Sequence, residues 1–140
     1  MGKKAEIVGY TICNDVSAWD LERENPLYLP QSKIYQGSCA LGPFLVTPEE
    51  VPDPYNLTIR CRITRKGMKI FEDSVNTSHM KRRLEELRDS LCRYNPVPSG
   101  TVVSTGTGIM VPNELPLQEG DIVEIEVDRL GTLSNSVKQL

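Results

Sequence analysis

The sequence predicts a mainly β fold of the α+β class, built as one domain with one long helix. Two observations support this prediction. Several short segments alternate apolar and polar side chains, which is typical of half-buried strands. One other segment repeats apolar residues at helical spacing. A chain of 140 residues is the usual size of one domain, and its ten glycines and ten prolines divide it into short elements.

Alternation is clearest in residues 57–64, where four apolar residues at odd positions alternate with polar residues at even positions. The Arg-Lys-Gly sequence that follows predicts a turn into the second arm of a hairpin. In chain order, the predicted strands are residues 6–12, 57–64, 69–72, 101–105, 122–127 and 133–137.

Residues 80–93 are predicted as the long helix, because four apolar residues recur there at helical spacing with charged residues between them. The Asn95-Pro96 pair ends this helix. The four apolar residues are Met80, Leu84, Leu87 and Leu91. Residues 14–43 show little periodicity and are predicted as a long irregular segment, a type of segment that often carries function.

Charge, hydropathy and cysteine content exclude several classes of protein. Sixteen basic and 19 acidic side chains give a net charge of -3, which argues against a nucleic-acid partner. No apolar run approaches the ~20 residues that span a bilayer, and the first residues lack the apolar core of a signal peptide. We therefore expect a cytoplasmic protein without a membrane partner. The four cysteines form no C-x-x-C pair, which favours free, mostly buried thiols over a zinc site.

Four places in the sequence carry candidate functional side chains, each with a structural alternative. Asp15 follows an apolar strand, where a carboxylate either binds a hard cation such as Mg²⁺ or closes a turn. Lys33 has few charges beside it and is either a substrate-binding or basic group or a surface lysine. Residues 106–108 (Gly-Thr-Gly) either bring backbone N–H groups to an anion or form a tight turn. Trp19 packs in the core or lines a pocket.

Four longer motifs follow one another in a characteristic order. They read GYTICNDVSAWDLE, SKIYQGSCALGPFLVT, DPYNLTIRCRI and STGTGIMVPNELPLQEGDIVEIEVDRLGTLSNSV. In this order they resemble the C-terminal half of the fumarylacetoacetate hydrolase family, and the resemblance covers residues 7–137. The segment ENPLYLPQSKIY is similar to the sugar-acid branch of that family, the 2-keto-3-deoxy-D-arabinonate dehydratase branch.

The resemblance implies a fold and a set of site residues. The family fold is a mixed β-sandwich roll, and the family chemistry passes through a metal-stabilised enolate of a 2-keto acid. Asp15 matches a metal ligand of the family, which binds Mg²⁺ or, in some members, Mn²⁺ or Ca²⁺. Lys33 matches the catalytic lysine, and Gly106 with Thr107 matches a substrate-binding pair. Trp19 stands at the substrate-binding position where the family has an arginine.

The implied function is dehydration of a 2-keto-3-deoxy sugar acid. The alternatives are a fumarylacetoacetate- or acylpyruvate-type C–C bond hydrolase or a decarboxylase, or a catalytically silent structural or interaction module. The family's other two metal ligands form a Glu-x-Glu motif before the GYT segment, and residues 1–140 do not carry it there. The resemblance therefore predicts a catalytic-type C-terminal domain truncated on its N-terminal side, with weak Mg²⁺ binding and little activity. It also predicts a small-molecule 2-keto acid as partner and a homodimer or higher oligomer.

Overall fold

The computed structural model describes residues 5–139, and most of its regular structure is β. The strands are β1 (Tyr10–Asp15), β2 (Cys39–Val46), β3 (Thr58–Arg65), β4 (Met68–Asn76), β5 (Ile122–Val127) and β6 (Gly131–Ser136). The α-helices are α1 (Trp19–Glu24) and α2 (Leu84–Leu91), and short 3-10 turns lie at Pro26–Tyr28, Gln31–Lys33 and Thr77–His79. Among the described residues, no helix is long and apolar enough to cross a bilayer.

The strands form two antiparallel sheets that share one core. β1 and β2 pair as a two-stranded ribbon, and the other four strands lie in the order β4-β3-β5-β6. Ile12 of β1 is buried in one cluster with residues of the larger sheet and its connections, including Leu57 and Val127. Because side chains alternate along a strand, Cys13 and Asp15 lie on the opposite face of β1, away from that core. One face of the ribbon therefore packs against the core, and the other face carries the Cys13 and Asp15 side chains.

The β3–β4 hairpin confirms the alternation seen in the sequence. Ile63 in β3 is only 2% exposed, as its odd position in the pattern predicts. The turn residues Lys66 and Gly67 both have positive φ, 50° and 77°. Two consecutive positive φ values are typical of the turns whose twist matches that of the paired strands.

The prediction of one long helix over residues 80–93 is wrong. The helix in this region, α2, has eight residues. Met80 ends the preceding 3-10 turn in an extended conformation. Arg83 is also extended, and its backbone N–H donates to the Glu86 carboxylate at 3.1 Å, which closes the helix N-terminus. Apolar spacing located the helix and its half-buried leucines but extended the helix beyond its cap.

Two other predicted elements also differ from the structure. Residues 101–105 form no strand, and Val102 and Val103 are 53% and 47% exposed rather than packed. Residues 14–43 are not irregular throughout, since they contain α1, two 3-10 turns and the first half of β2. The pattern missed β2 because Gly42 and Pro43 interrupt the alternation of side chains within it.

Asp121, directly before β5, is the most deeply buried charged side chain of the described residues, with no exposed surface. Its carboxylate accepts hydrogen bonds from Arg65 Nε and Nη2, each at 2.8 Å, and from the Gln118 N–H at 2.9 Å. The bond from Arg65 is the main reason that the pKa of Asp121 lies below its ordinary value, against the opposing effect of burial. This pair fixes the turn into β5 to the end of β3.

We expect Asp121→Asn to lower the free energy of unfolding by about 2 kcal/mol, because it leaves the Arg65 guanidinium without its anionic partner. Since folding lowers the pKa of Asp121, its contribution is present above the unfolded pKa and is lost as the pH falls through the folded pKa. Urea unfolding should therefore show a difference between the two proteins at neutral pH that shrinks below the ordinary aspartate value of 3.8. Glu126→Gln, in a half-exposed pair with Arg60, is the control and should cost less than about 0.5 kcal/mol. Equal losses in both variants would contradict the prediction.

Large apolar side chains are exposed on β2 and on the segment after α2. Phe44 and Leu45 are each 67% exposed, Tyr94 is 100% exposed and Met110 is 73% exposed. Exposed apolar side chains of this size often belong to an interaction surface. We expect a dimer or higher oligomer at micromolar concentration by sedimentation velocity. Phe44→Ser should weaken this association, whereas Met68→Ser, at a side chain that is 68% exposed at the hairpin turn, should not. A monomeric wild-type chain would count against the prediction.

Candidate functional site

The candidate metal ligand and the candidate catalytic lysine meet at the end of β1. Lys33 Nζ lies 2.9 Å from Asp15 Oδ2 and donates to Ser17 Oγ at 2.7 Å. The Lys33 and Asp15 side chains are 33% and 32% exposed, so the pair faces solvent on one side. Two residues that are 18 positions apart in the sequence thus lie within hydrogen-bond distance of each other, and their functional roles stay predictions.

Backbone hydrogen bonds on both sides of Lys33 hold the lysine in place. The carbonyl of Ser32, a fully buried residue, accepts the Ala18 N–H at 2.9 Å. Ser38 Oγ donates to the Lys33 carbonyl at 2.7 Å, while the Ser38 carbonyl accepts the Val16 N–H at 2.8 Å. The Gln31–Lys33 turn is therefore attached to the residues after β1. The ammonium group is positioned by the fold rather than by substrate. This lowers the entropic cost of ordering the Lys33 side chain when a ligand binds.

Thr107 closes a local turn in the structure. Its Oγ1 accepts the Ile109 N–H at 3.1 Å and lies 3.3 Å from the Ile109 carbonyl, to which it donates. Gly106 has a φ of 89°, a conformation that favours glycine. A Cβ on Gly108 would lie 2.9 Å from Val75 Cγ2, so the loop rests closely on β4. The substrate-binding role of Thr107 and Gly106 stays a prediction, and it requires Thr107 to exchange its bond to the Ile109 carbonyl for one to substrate.

Ser104 connects this loop to the site strand. The Ser104 hydroxyl lies close enough to the Cys13 thiol, two residues before Asp15 in β1, to lower the pKa of that thiol. Burial, contact with Cys39 and the Asp15 charge act more strongly in the other direction and raise the pKa of Cys13 to about 11. The loop that contains Thr107 thus runs beside the strand that contains Asp15.

Trp19 begins α1 and packs against an arginine. The Arg23 guanidinium carbon lies 5.1 Å from the centre of the Trp19 ring, a cation–π contact. Arg23 Nη2 donates to Asn113 Oδ1 at 2.6 Å, which ties α1 to the segment after the Thr107 turn. A positive charge therefore borders the position where the resemblance leads one to expect an arginine.

Four residues around the site were not identified from the sequence: Ser17, Arg23, Ser104 and Asn113. Ser17 lies within the NDVSAWD motif, two residues after Asp15, and its position there is the signal that points to it. Trp19 and Arg23 stand four residues apart, which is a contact spacing on a helix, but residues 14–43 were interpreted as irregular. Ser104 and Asn113 interact with residues that are about 90 positions away in the sequence. No local sequence pattern indicates interactions of this kind.

The described residues do not make up a magnesium site on their own. Within residues 5–139, no group of three His, Cys, Asp or Glu side chains is placed to hold a metal ion. Asp15 offers one carboxylate, and that carboxylate is already paired with Lys33. Mg²⁺ requires near-octahedral oxygen ligands and gives up its water reluctantly. Asp15 can therefore serve as one ligand of such an ion, with any other protein ligands coming from outside these residues.

Comparison with known proteins places this site in a wider context. Residues 4–138 match the family model described as fumarylacetoacetate (FAA) hydrolase C-terminal. The chain is 51% identical to the 2-dehydro-3-deoxy-D-arabinonate dehydratase of Saccharolobus solfataricus, over 99% of this chain and 47% of that protein. It is 49% identical to a probable 2-keto-3-deoxyxylonate dehydratase of Haloferax volcanii, over 96% of this chain and 47% of that protein. The chain thus spans about half the length of the curated relatives it matches.

The structure matches that of a 2-keto-3-deoxy-D-arabinonate dehydratase complexed with magnesium and 2,5-dioxopentanoate. The TM-score is 0.93 at 53% sequence identity, over 94% of this chain and 47% of that one. This match confirms the expected fold type, with two short helices in the described part of the chain where one long helix was predicted.

We expect the 140-residue chain to bind Mg²⁺ with a dissociation constant in the millimolar range or weaker, because its described residues offer too few oxygen ligands. Isothermal titration measures this directly, and Mn²⁺ should behave in the same way. Asp15→Asn should remove what binding remains, whereas Asp53→Asn, at a carboxylate that caps the Tyr55 N–H, should leave it unchanged. Sub-micromolar affinity that disappears in Asp15→Asn would show that the chain holds a complete site.

Proposed function

The chain belongs to the fumarylacetoacetate (FAA) hydrolase family, and from that premise we propose that residues 1–140 form the C-terminal catalytic domain of a dehydratase for 2-keto-3-deoxy sugar acids. Identity of about half with two dehydratases of such acids supports this substrate class. The observation that carries the proposal is the fixed position of Lys33, bonded to Asp15 and Ser17 at the end of β1. A lysine held in this way is arranged for a particular role rather than for solubility.

Lys33 acts on the charge that develops during the reaction. An ammonium group has three N–H donors, and Asp15 and Ser17 accept two of them. The third is available to the keto oxygen of a bound 2-keto acid. When C3 loses a proton, negative charge develops on that oxygen, and a pre-positioned donor stabilises it. The C4 hydroxyl then leaves as the C3–C4 double bond forms, and it departs together with the C3 proton as one water molecule.

Thr107 and Gly106 are proposed to bind the substrate carboxylate, through the threonine hydroxyl and the backbone N–H groups of the turn. The contact between Ser104 and Cys13 supports this, because it brings the loop beside β1. Trp19 is proposed to line the substrate site, with the Arg23 guanidinium beside its ring as the source of positive charge.

Mg²⁺ is the metal we propose for the complete enzyme, with Mn²⁺ or Ca²⁺ as alternatives. A related dehydratase has been solved with magnesium, which supports this choice. Asp15 would be one ligand of the ion. Because the described residues do not form the rest of the site, we assign no step of the reaction to the metal.

A second candidate function is a catalytically silent structural or interaction module. The lack of any three-ligand metal group in residues 5–139 favours it. In that case the pair between Lys33 and Asp15 serves only to hold the Gln31–Lys33 turn against β1. A third candidate function is hydrolysis of a C–C bond or decarboxylation, as elsewhere in the family. The product of the reaction distinguishes it from dehydration.

The test is to fuse this chain to the remaining half of the Saccharolobus solfataricus dehydratase and to supply Mg²⁺ with 2-keto-3-deoxy-D-arabinonate. Loss of water, followed by nuclear magnetic resonance of the product, would support the proposal. Cleavage of an acylpyruvate in place of dehydration would support the hydrolase alternative. A folded fusion without turnover on either substrate would support the silent module.

In this fusion we expect Lys33→Ala to lower kcat at least tenfold, because it removes the charge that acts on the developing oxyanion. Steady-state kinetics measure the effect. Lys69→Ala, at an exposed lysine of β4 that pairs with Glu72, is the control and should leave kcat unchanged. Thr107→Val should differ from both by raising KM more than it lowers kcat, because it removes a substrate hydrogen bond. Unchanged kinetics in Lys33→Ala and Thr107→Val would reject both assignments.

A further inference from the structure

β1 and β2 bring two thiols together on the face of the ribbon that points away from the core. Cys13 Sγ and Cys39 Sγ lie 3.8 Å apart, and neither cysteine is in a disulfide. The strand register pairs Asp15 with Cys39 and Cys13 with Leu41, so the two cysteines are diagonal neighbours. Cys39 is exposed and Cys13 is half-buried, which leaves the pair open to solutes.

The separation of the sulfurs decides which chemistry the pair suits. Diagonal neighbours on paired strands have Cα atoms about 7–8 Å apart, whereas a disulfide needs roughly 4.4–6.8 Å between Cα atoms. A tetrahedral ion with metal–sulfur bonds of about 2.3 Å places two sulfur ligands about 3.8 Å from each other. The observed distance of 3.8 Å matches that spacing without movement of the strands.

We propose that Cys13 and Cys39 form a two-sulfur site for a soft divalent cation such as Zn²⁺ or Cd²⁺. Each thiol gives up its proton as its sulfur binds the ion, so two protons leave for each cation bound. The Asp15 carboxylate is paired with Lys33, and water completes the coordination shell. Sulfur ligands select soft ions over Mg²⁺, which prefers oxygen.

This site is independent of the proposed dehydratase function, because it needs neither substrate nor the metal of the reaction. The other two cysteines provide matched controls, since Cys61 lies in β3 and Cys92 follows α2, away from the ribbon. Neither has a second cysteine within hydrogen-bond distance in the described structure.

The experiment is a Cd²⁺ titration of the reduced 140-residue chain, followed by the ultraviolet charge-transfer absorption of cadmium–thiolate bonds. We expect one ion per chain. Cys39→Ser should weaken binding at least tenfold, since even the outer partners of metal ligands are often worth that much. Cys61→Ser and Cys92→Ser should bind as the wild type does. Because Cys39 is exposed, its replacement should not disturb the fold, which circular dichroism checks.

A second readout is the reactivity of the thiols towards an aromatic disulfide. Bound Cd²⁺ should protect two of the four cysteines, and excess Mg²⁺ should not reverse the protection. Equal affinity in Cys39→Ser and wild type would overturn the proposal, as would equal losses in Cys39→Ser and Cys92→Ser. A chain two hydrogens lighter after purification without reductant, with Cys13 and Cys39 linked, would show a disulfide there and would overturn it as well.

Discussion

The burial of Ile12 is the constraint on which the candidate site depends. Ile12 is 3% exposed in the cluster that joins the β1–β2 ribbon to the larger sheet. Because side chains alternate along a strand, burying this residue places Cys13 and Asp15 on the outer face. A slip of one residue in β1 would reverse the faces and turn the Asp15 carboxylate towards the core, at a large desolvation cost. The apolar residue thereby sets the orientation of the polar ones.

Two ion pairs among the described residues have different physical roles. The Arg65 side chain is largely buried and the Asp121 side chain is fully buried. Each oxygen of the Asp121 carboxylate accepts one hydrogen bond from the Arg65 guanidinium. That arrangement stabilises the fold. Lys33 and Asp15 are each about a third exposed, and pairs of this kind contribute about 0–1 kcal/mol. The main effect of this pair is therefore to hold the Lys33 ammonium at the end of β1 rather than to stabilise the fold.

Sequence patterns predicted the parts of the fold whose causes are local. Alternation in residues 57–64 and 122–127 corresponds to β3 and β5, because those strands have one buried face each. It missed β2, where Gly42 and Pro43 break the period. Resemblance assigned Asp15 and Lys33, and the structure brings them to 2.9 Å from each other. The contacts of Ser104 and Asn113 depend on how distant segments pack, so no reading of neighbouring residues could have found them.

The outer face of the ribbon combines ligands of two chemical types within a few residues. Asp15 offers oxygen, which suits Mg²⁺, and Cys13 with Cys39 offers sulfur, which suits softer ions. The face is open, since Asp15 is about a third exposed and Cys39 is exposed. An open face leaves charges in water, where their interactions are weakest. Carboxylates added beside Asp15 from outside residues 5–139 would raise the negative charge, exclude water and favour the hard ion. Without them, the sulfur pair is the stronger of the two ligand sets on this face. Which of the two ligand sets dominates this face therefore depends on what covers it.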